Sequence, residues 1–159
     1  MVWRGSADIK DRIFASLVYL MPLYSVMPFG GDLFRQFPFL SIIQIPLIPL
    51  ALIYGSIPFG SLIIFFVLFL AVVRNEKIAH FIRFNTMQAI LVDIVLSLLS
   101  VLFFRILGPG ILPSLIETTM HNVIFTGVLA VIIYAISQCV VGKYPEIPAI
   151  SEAVYTQVP

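Results

Sequence analysis

The sequence predicts an all-α, polytopic integral membrane protein with four transmembrane helices and a proline-rich re-entrant or interfacial segment before the second. Two observations lead to this fold class. Of the 159 residues, 60% are hydrophobic and only 11% are charged, whereas soluble domains are about 25% charged. Charge-free runs cover 13–31, 36–73 and 118–142, and a fourth run, 84–104, is interrupted only by Asp93. Each run reaches or approaches the roughly 20 apolar residues that cross a bilayer, allowing for flanking residues.

The first predicted crossing, 13–29, follows a short segment that carries both signs of charge. Residues 1–12 are not followed by the small-residue cleavage site of a secretory signal, and the composition does not match a Ser- and Arg-rich transit peptide. We therefore expect either a complete bacterial or organelle-encoded protein or a mature form without its presequence.

The second crossing is predicted at 57–73, at the end of the long uncharged run. The first part of that run contains four prolines, Pro38, Pro46, Pro49 and Pro58. Because proline removes a backbone donor and clashes with the preceding helical turn, we expect 38–55 to be kinked, broken or partly extended. Irregular backbone at membrane depth is tolerated only where protein or water covers it. The segment 38–55 is therefore predicted to be re-entrant or interfacial.

The placement of Lys and Arg selects four crossings over five. With helices at about 13–29, 57–73, 84–105 and 119–141, seven basic residues share one side and two lie on the other. The seven are Arg4, Lys10, Arg12, Arg74, Lys77, Arg83 and Lys143, and the two are Arg35 and Arg105. A fifth crossing at 38–54 would divide them four against five. The positive-inside rule therefore favours four helices in a single membrane domain, 1–159. Both termini, including a short C-terminal tail at 142–159, are expected on the cytosol-like side.

The third helix carries one polar stripe. Asp93, Thr86, Ser97 and Ser100 fall within about 60° of one another at 100° per residue. Asp93 lies near the predicted bilayer midplane, where a carboxylate costs roughly 2.5–3.5 kcal/mol on insertion scales. Three roles remain open for Asp93: locking helix packing, lining a path or contacting a partner, and proton coupling.

The last helix carries a row of small and weakly polar side chains at i, i+4 spacing. Its members are Asn122, Thr126, Ala130 and Tyr134, with Ser137 on the same face. Such rows allow helices to approach closely in lipid. We predict a helix-packing seam that contacts the Asp93 stripe.

The loop before the third helix is short, basic and aromatic. Its candidate contact residues, together with those at the start of the helix, are Arg74, Lys77, His80, Arg83, Asn85 and Gln88. Basic residues beside a membrane bind anionic headgroups and anchor topology. The alternative is a docking site for a partner subunit.

Several function classes are disfavoured by what the sequence lacks. A net charge of +1 gives no basic footprint for nucleic acid. The single Cys139 forms no internal disulfide and has no Cys/His cluster around it. No paired carboxylates, Ser/His set, metal-ligand spacing or phosphate-binding loop can be assembled. We expect no enzyme activity, no metal and no cofactor.

One long string of residues resembles a known family. Arg74-Asn75 followed by the string from His80 to Asp93 is similar to the signature of the Tic-twenty (Tic20) family. Further matches are Gly5-Ser6-Ala7-Asp8, Asp11-Arg12, Pro28-Phe29-Gly30 and the motif 148–153, so the resemblance covers nearly the whole chain. These are small four-helix membrane proteins of the TIC translocon in the chloroplast inner envelope, with cyanobacterial homologues. The resemblance implies stromal or cytosolic termini and a role in preprotein translocation with other TIC subunits.

Three functions are therefore considered. The first is a translocon subunit of the chloroplast inner envelope or a cyanobacterial membrane, which contributes to a preprotein-conducting path or its assembly. The second is a non-conducting scaffold or assembly factor. The third is a small-solute or proton carrier that depends on Asp93. The expected partners are other membrane subunits, the bilayer and a transiting polypeptide. A homo-oligomer is also considered, because four helices alone enclose no obvious wide pore.

Overall fold

A computed structural model describes residues 7–158, which form six helical elements and no strand. The elements are α1 (Ile9–Gln36), α2 (Pro38–Ser56), α3 (Gly60–Val73), α4 (His80–Leu107), α5 (Ser114–Val140) and α6 (Ile150–Gln157). Arg4 and the Gly5-Ser6 part of the N-terminal motif lie outside the described residues. The predicted all-α fold class is confirmed.

Helix α1 begins with a capping box and is divided by its prolines. The Asp8 carboxylate accepts hydrogen bonds from the first turn, and Asp11 bonds back to the Asp8 amide, which satisfies donors that a helix start leaves free. Pro22 lies in the first turn of a new helical stretch, Leu20–Val26, and Pro28 lies in a 3₁₀ turn, Met27–Gly30. Each proline lacks the N–H that would continue the helical ladder.

Four helices are long and apolar enough to cross a membrane: α1, α2, α4 and α5. The predicted crossings 13–29, 84–105 and 119–141 fall within, or within one residue of, α1, α4 and α5. The second position differs, because the 19-residue α2 meets the length criterion whereas α3, within the predicted 57–73, is shorter.

The proline-rich segment is helical throughout. It forms a 3₁₀ helix over Pro38–Leu47 and an α-helix over Ile48–Ser56. The chain breaks only afterwards, where Ile57 is extended and Phe59 is left-handed with φ 58°. The prolines thus tighten the helix, and the break falls at 57–59.

Helices α1 and α4 run side by side in the same direction. Tyr19 contacts Asn85 near the beginning of both helices, and Phe29 contacts Phe103 further along both. The chain between α1 and α4 must therefore return across the bundle a net single time.

Helices α2 and α3 make that return together. The ring of Tyr54, near the end of α2, packs on Tyr24 halfway along α1, with ring centroids 5.0 Å apart. The carbonyl of Val73, at the end of α3, accepts from Arg83 Nε at 2.9 Å near the start of α4. The chain therefore runs through α2 to about half the depth of the bundle, leaves the helical conformation at 57–59 and continues through α3. We call this return through α2 and α3 the broken passage. This arrangement agrees with four net crossings.

One end of the bundle gathers most of the basic residues, and we call it the basic end. It contains the starts of α1 and α4, the end of α5, and Lys10, Arg12, Arg74, Lys77, Arg83 and Lys143. Arg35 and Arg105 lie toward the opposite end. An Arg12 guanidinium nitrogen donates to the Val140 carbonyl at 3.4 Å, and His80 contacts the Val158 carbonyl. Both described ends of the chain therefore meet at the basic end.

Candidate functional site

Five polar side chains form a buried network near the basic end: Tyr19, Asn85, Gln88, Cys139 and Ser151. The first four are 0% exposed and Ser151 is 4% exposed. They come from α1, α4, α5 and α6, so the network joins four elements at one point.

Asn85 holds the three longest helices together. The Tyr19 hydroxyl donates to Asn85 Oδ1 at 2.9 Å, and the Cys139 thiol donates to the same oxygen at 3.1 Å. The Asn85 amide donates back to the carbonyl of Phe81, one turn earlier in α4. Asn85 thereby links α1, α4 and α5 without leaving its own amide unpaired.

Gln88 holds the C-terminal tail, which is residues 142–158. Gln88 Nε2 donates to the Tyr19 hydroxyl at 2.9 Å and to the Pro145 carbonyl at 3.1 Å. The Ser151 hydroxyl donates to Gln88 Oε1 at 2.9 Å and accepts from the Ile147 amide at 2.7 Å. The tail is thus joined to the bundle through buried polar contacts.

His80 makes a second attachment of the tail. One ring nitrogen lies 3.0 Å from the Tyr144 hydroxyl and the other lies 3.2 Å from the Val158 carbonyl. Around these bonds, Val154 and Val158 pack in a cluster with Phe84. Polar and apolar contacts therefore both cover the start of α4.

This covering corrects part of the predicted contact surface. Asn85 and Gln88 are fully buried, and Arg83 is 9% exposed with its Nε bonded to Val73. The prediction that these three face a partner or headgroup is wrong, because α3 and the tail lie over them. Arg74 and Lys77 are exposed, and for these two headgroup contact stays a prediction. His80 is half-buried beneath the tail.

The predicted polar stripe does not form one continuous surface. Asp93 Oδ1 accepts from the Ser25 hydroxyl at 2.5 Å across the contact between α1 and α4. Thr86 is buried, and its hydroxyl has no hydrogen-bond partner among residues 7–158. Ser97 is exposed and Ser100 is half-buried. The geometry favours the helix-packing role of Asp93, while Ser97 faces away from the bundle.

The predicted seam on α5 lies on the wrong face for packing within the chain. Thr126, Ala130, Tyr134 and Ser137 are exposed and Asn122 is half-buried. The expectation that this row contacts the Asp93 stripe is therefore wrong. The Thr126 and Ser137 hydroxyls instead bond to carbonyls of their own helix, those of Asn122 and Tyr134.

The buried face of α5 packs on α1. It consists of Phe125, Ile132, Ala135 and Cys139. Gly30 of α1 allows a close approach, because an added Cβ there would lie 2.7 Å from a Phe125 ring carbon and 2.7 Å from a Phe34 ring carbon of α1 itself. Small residues at regular spacing predict close approach only where a neighbouring helix exists, and for this face the neighbour is α1.

The break at 57–59 interrupts the return of the chain with exposed residues. Phe59 is 78% exposed and Ile57 is 43% exposed. Gly60 N–H donates to the Ile57 carbonyl at 2.9 Å and Ile63 N–H to the Phe59 carbonyl at 3.0 Å. The remaining terminal amides of α3 and carbonyls of α2 have no partners inside their helices.

Sequence reasoning missed Tyr19, Ser25, Cys139 and Ser151 as members of polar contacts. Ser151 lies in the C-terminal motif that resembles the family, so the motif was a usable signal. Tyr19 and Asn85 are 66 positions apart, and neither spacing nor periodicity indicates that they meet. Asn85 and Gln88 lie one turn apart on an apolar helix, and they are the two members of the network that the sequence did indicate.

Comparison with known proteins gives consistent matches over nearly the whole chain. Residues 8–154 match the family described as "Chloroplast import apparatus Tic20-like". A "Tic20 family protein" of Synechocystis sp. is 49% identical over 99% of both chains. "Protein TIC 20-II, chloroplastic" of Arabidopsis thaliana is 32% identical over 93% of this chain and 72% of its own length. "Tic20 family protein Ycf60" of Gracilaria tenuistipitata var. liui is 38% identical over 94% and 76%.

Proposed function

The chain belongs to the Tic20 family, and from this premise we propose that it is a membrane subunit of a protein translocon resembling the TIC complex. In this role it contributes to a polypeptide-conducting path or to its assembly. Support comes from the family description, which names the chloroplast import apparatus, and from the chloroplast relatives. The proposed role is non-catalytic.

The broken passage through α2 and α3 carries the proposal. Tyr54 fixes its depth, because it packs on Tyr24, whose neighbour Ser25 bonds to Asp93 midway along α4. Residues 57–59, where the helical backbone breaks, are exposed in the single chain. In lipid, backbone groups outside helices must be covered by protein or line a water-filled cavity. Another polypeptide or an aqueous path beside 57–59 satisfies that requirement, and both are features of a translocon subunit.

The proposed location is the chloroplast inner envelope or a cyanobacterial membrane. The basic end, with both described chain ends, is proposed to face the stroma or cytosol. This orientation is supported by the positive-inside rule, since Lys10, Lys77 and Lys143 all lie at that end.

A non-conducting scaffold or assembly factor is the second candidate. The observation that favours it is the bond between Ser25 and Asp93, because it commits the membrane-embedded carboxylate to a contact between helices. The scaffold predicts contact with other subunits and none with a polypeptide in transit.

Site-specific photo-crosslinking separates the two candidates. A photoreactive residue replaces Ser97 or Phe59, both exposed, in membranes that carry a polypeptide arrested during transport by a tightly folded C-terminal domain. Val123, 64% exposed on α5, is the matched control position. Adducts to the arrested polypeptide from Ser97 or Phe59 but not Val123 support the conducting subunit. Adducts to other subunits alone support the scaffold, and adducts to lipid alone contradict both.

A further inference from the structure

We propose that the basic end of the bundle contains a binding groove for an extended segment of another polypeptide, and that residues 142–149 of this chain occupy the groove in cis. The inference rests on the proposed role in polypeptide transport and adds to it a site, a substrate conformation and an internal competitor. The groove lies over α4 at Gln88 and His80.

Two of the polar contacts that hold the tail on the bundle are made to its main-chain carbonyls, beside the side-chain contacts of Tyr144 and Ser151. Gln88 Nε2 donates to the Pro145 carbonyl at 3.1 Å, and a His80 ring nitrogen lies 3.2 Å from the Val158 carbonyl. Every polypeptide offers such carbonyls, so these contacts place little demand on side-chain identity. Recognition of an extended peptide commonly combines main-chain hydrogen bonds with pockets for alternate side chains.

The tail also has the alternating burial of an extended peptide in a groove. Residues 143–147 have no helical or turn structure. Pro145 and Ile147 are buried, whereas Glu146 and Pro148 are exposed. In an extended chain successive side chains point to opposite sides, so the groove provides two inward pockets, at Pro145 and Ile147, while the half-buried Tyr144 packs on Phe81 and Phe84.

A strained turn follows the segment in the groove. The Ile150 amide donates to the Pro148 carbonyl at 2.8 Å, which closes a three-residue γ-turn around Ala149. Ala149 has φ 65° and ψ −39°, and a γ-turn with positive φ is rare and strained for a residue with a side chain. The cis segment must adopt this turn so that α6 can reach Gln88 through Ser151. A segment of another chain has no such constraint.

Release of the tail would leave buried polar groups of the groove without hydrogen-bond partners. Gln88 is 0% exposed, and its amide and carbonyl would lose Pro145 and Ser151 together. Buried polar groups without partners are costly. An incoming polypeptide restores the contact to Gln88 with its own carbonyl, which favours exchange of one segment for another over an empty groove.

Peptide binding to the full-length chain in lipid nanodiscs tests the proposal. The probe is a fluorescent synthetic peptide with the sequence of residues 142–158, followed by fluorescence anisotropy. Ser151→Ala removes the bond from α6 to Gln88 and the bond that Ser151 accepts from the Ile147 amide, and both losses weaken the cis segment. One hydrogen bond corresponds to about a 2- to 12-fold change, so we expect the probe to bind the Ser151→Ala chain tighter by at least that factor.

Two further variants define the site and the direction of the effect. Ala149→Gly relieves the strained turn, favours the cis segment and should weaken probe binding. Gln88→Leu, combined with Ser151→Ala, should abolish the gain. An unrelated peptide with apolar residues at the two inward positions should bind similarly.

The proposal is overturned if Ser151→Ala leaves probe affinity unchanged, or if Gln88→Leu leaves the gain intact. Should Ser151→Ala fail to fold, Ala149→Gly decides alone, and unchanged affinity then counts against the groove. The assay needs no other subunit. Failure here with successful crosslinking to an arrested polypeptide removes only the groove, whereas binding here without such crosslinking removes only the conducting role.

Discussion

Replacing Gln88 with leucine should destabilise the whole bundle, because this one side chain joins α1 and α4 to the C-terminal tail. Gln88 bonds to the Tyr19 hydroxyl, the Pro145 carbonyl and the Ser151 hydroxyl. Leucine has a similar volume, so the change removes polar contacts and opens little space. The variant therefore isolates the contribution of the hydrogen bonds.

The expected loss follows from which groups keep a partner. Tyr19 retains its bond to Asn85. The Pro145 carbonyl and the Ser151 hydroxyl lose their bonds to Gln88; Ser151 still accepts from the Ile147 amide, and at 3.4 Å it can donate only weakly to the Pro145 carbonyl. With about 1–3 kcal/mol for the carbonyl left unpaired and about 0.5–1.5 kcal/mol for the bond that the hydroxyl loses, we expect a loss of about 2–4 kcal/mol. For a chain of this length that corresponds to a fall in Tm of roughly 5–15 °C.

The single cysteine provides the assay. Cys139 is 0% exposed and lies in the same network, so a maleimide dye that fluoresces on reaction reports unfolding in detergent during a thermal ramp. The control is Gln157→Leu, the same substitution at an exposed position of α6, where a change within about 0.5 kcal/mol is expected. Equal unfolding midpoints for Gln88→Leu and Gln157→Leu would refute the conclusion that Gln88 joins α1 and α4 to the tail.

Two further matched pairs test the packing by the same thermal ramp. Gly30→Ala should lower stability by about 1–3 kcal/mol, because its Cβ would meet Phe125 at 2.7 Å. Gly31→Ala should leave stability unchanged, because the space around Gly31 is open. Similar losses for the two variants would contradict the contact between α1 and α5. Ala135→Leu, at a fully buried site, should destabilise by a similar amount and Ala130→Leu, at an exposed site, should be tolerated; the reverse order would restore the original seam.

The net number of crossings could be predicted because it depends on the positions of the charged residues, which can be read directly from the sequence. Arg74, Lys77 and Arg83 indicated the side of one loop, and the structure places them together at the basic end. The helicity of α2 could not be predicted in the same way. Pro46 lies inside the 3₁₀ stretch, and Pro49 lies in the first turn of the α-helix Ile48–Ser56, where its missing N–H breaks no helical bond; the choice between these conformations depends on packing against α1.

The site was only half predictable for a related reason. Asn85 and Gln88 stand out as amides on an apolar helix, but their partners are distant in the sequence, and burial by the tail reversed their assigned role. The row from Asn122 to Ser137 has the composition of a packing seam, yet the sequence does not say which helix lies beside it. Both errors concern which helix surfaces are buried by other parts of the chain, and that burial depends on how the helices and the tail pack together.

Crosslinking from Phe59 in native membranes tests most directly whether the chain is a subunit whose broken passage another polypeptide covers. A photoreactive residue at Phe59 should give a discrete protein adduct on a denaturing gel, and the same residue at Val123 should give far less. Phe59 and Val123 are both well exposed in the single chain, so accessibility does not distinguish them. Lipid adducts alone from Phe59, at the level seen from Val123, would contradict the account.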